Sequence, residues 1–146
     1  MARTTPIGLA RYARDYFDSA LAADDVLGTR EGYEIHAPMP VMFLVAHSIE
    51  LIIKAYLLHV GMSLDDMKKI SHNLLACWEV AVENGIEQHF NLTNYEIDIL
   101  NIISDLHKST ELRYIQSGFK TVPVFGPLEE LTRKLLDNIC PLVGFR

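Results

Sequence analysis

His47, Glu50 and Lys54 are the residues whose types and spacing most suggest chemistry. On a helix they fall within a wedge of about 60°, with Phe43, Leu51, Leu57 and Leu58 sharing or flanking it. An imidazole, a carboxylate and an amine in an apolar stripe cost energy unless they pair with one another or with a neighbouring helix. Glu50 and Lys54 stand i,i+4 in the favourable order. Two readings stand side by side. One is a buried, satisfied network that fixes helix register; the other is a pocket in which His47 and Glu50 handle protons or hold a polar ligand. His72 comes next, in the run Ser71-His72-Asn73, any member of which suits the cap of the helix that follows. Arg113, followed by Tyr114, stands just past an apolar helix, from where it can reach inward to Glu50. The catalytic candidates are therefore His47, Glu50, His72 and Arg113, and the wider polar set adds Lys54, Asn73 and Tyr114.

Metal chemistry is not expected from these patterns. His47-x-x-Glu50 reverses the Glu-x-x-His order of di-iron bundles, and no helix shows a second carboxylate–histidine set. Lys54, one turn on, repels a cation. The chain has no H-E-x-x-H, no cysteine pair at zinc spacing, no P-loop and no G-x-G-x-x-G, so no cofactor is expected either.

The elements that must position these groups read as helices. Thr5 is a plausible N-cap with Pro6 at the first helical position, which predicts a helix over 6–22 with Leu9, Ala13, Tyr16, Phe17 and Ala20 inward. Asp24 to Met39 reads as a long connection. The second helix, 40–60, ends before Gly61, a natural C′ residue. Fifteen of the twenty residues from Val41 to Val60 are apolar, long enough for a membrane span. Glu50 and Lys54 near the middle oppose that, so it reads as the central buried helix of a bundle, with no membrane involved. Short helices follow at 64–70 and 73–84, the latter with Leu74, Leu75, Trp78 and Val82 on one face. Thr93 and Glu96 form a capping box, and Leu92 and Ile97 a hydrophobic staple, at the start of a helix over 94–109. There Tyr95, Ile99, Ile102 and Leu106 follow a heptad. Gly118 to Gly126 reads as irregular, and a last helix over 127–140 buries Leu128, Leu131, Leu135 and Ile139. The expected class is all-α, an antiparallel up-and-down four-helix bundle with additional short helices.

Composition fits one domain over residues 1–146, with 49% hydrophobic residues among 146 to build a core. Thirteen basic against nineteen acidic residues leave a net charge of −6. That argues against nucleic-acid coating by bulk charge, and no DNA partner is expected; RNA or a nucleotide would need a local basic pocket. Cys77 and Cys140 lie in apolar helical patterns and read as reduced core thiols. With no secretory signal in view, the expected location is cytoplasmic. The uncharged side of the second helix, carrying Val41, Val45, Ser48, Ile52, Tyr56 and His59, predicts a homodimer, because a single layer of neighbouring helices is not expected to cover both sides and bare apolar patches mark interfaces.

Taken in order, Ala46-His47-Ser48-Ile49-Glu50-Leu51-Ile52-Ile53-Lys54-Ala55-Tyr56-Leu57, Gly61, Ser71-His72-Asn73-Leu74 and Arg113-Tyr114 resemble the HEPN superfamily. The likeness is to small bacterial members with an H-x-x-E-x-x-x-K-A helix followed by a G-H-D-L turn, and it spans roughly residues 40–115. Here Ser71 replaces the Gly of the turn and Asn73 its Asp. The resemblance implies an up-and-down helical bundle that dimerises, set in a toxin–antitoxin, phage-defence or stress system with an antitoxin or nucleotidyltransferase as partner. Many such proteins are metal-independent ribonucleases with an R-x(4–6)-H motif. In this chain the window after Arg113 holds Gly118, Phe119 and Lys120 instead of His. Arg30 and His36 match the spacing only outside the family context, and His107 and Arg113 give the reverse order. The resemblance therefore implies a binding or regulatory module without the standard nuclease motif. The alternative is a ribonuclease with a rearranged His/Lys/Arg site.

Overall fold

Thr5 opens the first helix as its side-chain oxygen accepts from the backbone N–H of Gly8 at 2.9 Å, with Pro6 at the first helical position. The computed structural model describes residues 3–109 and 121–146. Over these it forms six α-helices and one 3₁₀ turn, and no strand occurs among the described residues. The helices are α1 (Pro6–Leu27), α2 (Met39–His59), α3 (Leu64–Ile70), α4 (Leu74–Glu83), α5 (Asn94–Lys108) and α6 (Phe125–Leu142), with the 3₁₀ turn at Ile86–Gln88. The all-α class is as the periodicity predicts.

Two helices differ from their predicted bounds by more than one residue. α1 continues to Leu27, five residues beyond the expected end, because no breaker intervenes before Gly28, whose N–H closes the last turn on the Asp24 carbonyl at 2.8 Å. The connection to α2 is correspondingly shorter. α6 begins at Phe125, whose N–H reaches back to the Ile35 carbonyl at 3.1 Å, and runs through Pro141 to Leu142.

α2 is the hub and packs against all five other helices. It is long and apolar enough to cross a membrane, and most of it is buried by its own chain. α1 lies along it most extensively. The buried residues of α1 are Ala10, Ala13, Phe17 and Ala20, and the small side chains let the two backbones approach. Ser48 of α2 is fully buried and donates its hydroxyl to the Ala13 carbonyl at 2.7 Å. This corrects the expectation about the uncharged side of α2. Val41, Val45, Ser48, Ile52 and Tyr56 are covered within one chain, and of the six residues on that side only His59 is exposed. No bare stripe there calls for a second copy.

The capping box of α5 is present in both halves: Glu96 N–H to Thr93 Oγ1 at 3.1 Å and Thr93 N–H to Glu96 Oε1 at 2.8 Å. Its inward face is rotated from the predicted heptad. Tyr95 is exposed, and the buried residues are Ile99, Leu100, Ile103, Ser104, Leu106 and His107. Cys77 and Cys140 are free and buried, and burial pushes the Cys77 thiol up to about 12, so it packs as an inert group.

Candidate functional site

The centre of the site is one carboxylate on α2. Glu50 is 5% exposed, in a helix whose other buried residues are apolar apart from Ser48 and the hydroxyl of Tyr56. Each of its oxygens is engaged. Oε2 accepts from Lys54 Nζ at 2.8 Å, one helical turn away. Oε1 accepts from two imidazoles, His107 Nε2 at 2.8 Å and His72 Nδ1 at 3.0 Å. An ionised carboxylate only accepts, so both ring nitrogens carry their proton here. Burial alone raises the Glu50 carboxyl. The hydrogen bonds from His107, Lys54 and His72 outweigh it, helped by the Lys54 charge, and hold the group well below its ordinary value of 4.5.

Three elements deliver these partners. α2 supplies Glu50 and Lys54, the turn between α3 and α4 supplies His72, and α5 supplies His107. The turn is pinned twice. Lys54 Nζ also donates to the Ser71 carbonyl at 2.8 Å, and Asn73 caps α4 by accepting from the Ala76 N–H at 3.0 Å. Asn73 Oδ1 accepts in addition from Ser104 Oγ at 3.2 Å, while Ser104 Oγ takes the Leu75 N–H at 3.1 Å. Ser104 is thus a buried polar bridge from α5 to the start of α4.

Ser71 sits at φ 59, ψ −133, a conformation that glycine adopts readily and L side chains do not. This is the position where the G-H-D-L pattern has Gly. The Lys54 hydrogen bond and the Asn73 N–H bonded to the Ile70 carbonyl at 3.4 Å hold the serine there. Replacing Ser71 by glycine removes that strain at some cost in unfolded-chain entropy. The expected net gain is about 1 kcal/mol, read as a rise in Tm of about 2–4 °C. A variant that melts below wild type would show that the Ser71 side chain contributes more than its backbone costs.

His47 stands beside this cluster. Its ring meets Tyr16 edge-on, with centroids 4.5 Å apart, and lies parallel to Phe43 at 6.1 Å. Its centroid is 6.5 Å from that of His107. One donor atom each from His47, Glu50 and His107 lie within 4.8 Å of one another, a group among the described residues that could hold a metal ion. Of the predicted site residues, the fold therefore joins Glu50, Lys54 and His72, sets His47 alongside, and uses Asn73 as a cap. Arg113 and Tyr114 lie outside the described residues. Sequence reasoning misses Ser104 and His107 as members of the site. Their signal is the i, i+4, i+7 series Leu100, Ser104, His107 on the inward face of α5.

Cavities elsewhere among the described residues include one of about 380 Å³ between α1 and α6, lined by Arg14, Leu136, Asp137, Cys140 and Phe145 among others. Comparison with family models, with curated proteins and with solved structures finds no match for this chain.

Proposed function

We propose that this chain is a HEPN-like binding or regulatory module of a bacterial defence, toxin–antitoxin or stress system, built as an antiparallel up-and-down bundle and lacking ribonuclease chemistry. The observation that carries the reading is that His72, His107 and Lys54 all donate to Glu50. Metal-independent RNA cleavage needs a base for the 2′-hydroxyl, an acid for the leaving oxygen and a cation on the phosphate. Here the groups suited to those roles are spent on a buried anion, which repels a phosphate from the same spot. The net charge of −6 opposes RNA approach over longer range. Homodimer formation, a cytoplasmic setting and an antitoxin or nucleotidyltransferase partner belong to this reading through the family resemblance.

The test is a gel assay with total RNA and tRNA in chelator-treated buffer. The expected result is no cleavage by the wild-type protein and no growth defect on its expression. Cleavage that survives purification and disappears in His47→Ala, His72→Ala or Arg113→Ala would establish the rearranged ribonuclease instead.

A further inference from the structure

We propose that His47, Glu50 and His107 form a binding site for one divalent transition-metal ion of the zinc class. The donor set is two imidazole nitrogens and one carboxylate oxygen, gathered within 4.8 Å. That set suits zinc and its first-row neighbours, whereas magnesium and calcium take oxygen ligands. An ion at about 2.0–2.2 Å from each donor brings the donors to roughly 3.3–3.6 Å from one another. Seating the ion takes about an ångström of side-chain rotation: the His107 Nε2–Glu50 Oε1 pair, now at 2.8 Å, opens, and the separations of up to 4.8 Å close.

Two rigid elements carry the ligands. His47 and Glu50 are one turn apart on α2, and His107 comes from α5, 57 residues further along the chain from Glu50. A motif search along one helix misses this pairing, because the second histidine belongs to another helix. Lys54 is the feature that argues against a cation. It acts, however, on Oε2, the far oxygen of Glu50, at 2.8 Å, and is itself tied to the Ser71 carbonyl. A hydrogen bond on the distal oxygen orients a ligating carboxylate, as outer partners of metal ligands generally do. Oε1 is left turned toward the histidines. The ion takes the place of the proton that His107 Nε2 now directs at Oε1; that proton passes to Nδ1 of the same ring or to solvent. His72, whose side chain is 43% exposed and whose Nδ1 lies 3.0 Å from the same Oε1, marks the side from which an ion enters.

This proposal does not depend on the family resemblance, and its test is independent of RNA cleavage. Chelator-stripped protein is titrated with Zn²⁺ by calorimetry and with Co²⁺ by absorption. The expected outcome is one ion per chain, Co²⁺ bands without a thiolate charge-transfer feature, and a higher Tm with Zn²⁺. His47→Phe keeps the ring packing against Tyr16 and Phe43 but has no donor, and it should bind Zn²⁺ at least about tenfold more weakly while keeping a wild-type circular dichroism spectrum. A variant with His59→Ala and His89→Ala, both exposed positions, should bind as wild type does. No uptake, uptake that survives His47→Phe, or uptake lost with the two exposed histidines would each overturn the assignment.

Discussion

Replacing Glu50 by alanine lowers the stability of this protein by about 3–5 kcal/mol. Glu50 is buried and is the shared acceptor for Lys54, His72 and His107. Without it, three donors lose their shared acceptor at once, and Lys54 keeps only the Ser71 carbonyl. Lys54 is only 14% exposed, so water replaces little of what is lost. Urea unfolding in metal-free buffer should show a lower midpoint with an unchanged slope. The pH dependence identifies the cause. In the fold the Glu50 carboxyl is held well below 4.5, and in the unfolded chain it returns to about that value. A depressed folded pKa contributes stability that is complete above the unfolded value and is lost as pH falls through the folded one. The gap between wild type and Glu50→Ala should therefore be full at neutral pH and narrow as the pH is taken below 4.5. A variant that melts with wild type at neutral pH would mean that the carboxylate carries no such network.

What was legible in the sequence divides at the helix boundary. Glu50 and Lys54 are readable as a pair because one helix fixes their separation, and the caps of Thr5 and Thr93 are readable because each is decided within a single turn. His72 follows from its place in the break before α4. Relations between helices are a different matter. The heptad through Tyr95 and Ile102 places His107 off the core face, whereas packing against α2 and α4 turns α5 so that Ser104 and His107 face inward. Local period gives the existence of an apolar stripe but not the rotation at which tertiary packing seats it. The same gap explains the covered side of α2. α1 packs along α2 with Ser48 bonded to the Ala13 carbonyl, and a stripe of small residues carries little hydrophobic signal of its own although it allows a close approach.

Burial, rather than distance, should rank the two histidines on Glu50. His107 and His72 donate to the same oxygen at 2.8 and 3.0 Å, so bond length scarcely separates them. Their side chains are 1% and 43% exposed. Truncating His107 to alanine removes a hydrogen bond to a charged acceptor inside the core, which costs about 1.5–3 kcal/mol, with a further loss from the cavity left among Phe43, His47 and His72. Truncating His72 gives up a bond that water can replace in part, so its cost should stay below about 1 kcal/mol. Both variants are measured by denaturant unfolding in chelator-treated buffer, because a bound ion would add its own stabilisation to the wild type. In a Glu50→Ala background the hydrogen-bond part of the His107 cost should vanish and leave the cavity part, a coupling that a double-mutant cycle reads directly. Equal costs for the two histidines, or a His107 effect unchanged without Glu50, would mean that the ring serves the core by volume alone and that the carboxylate is held by Lys54.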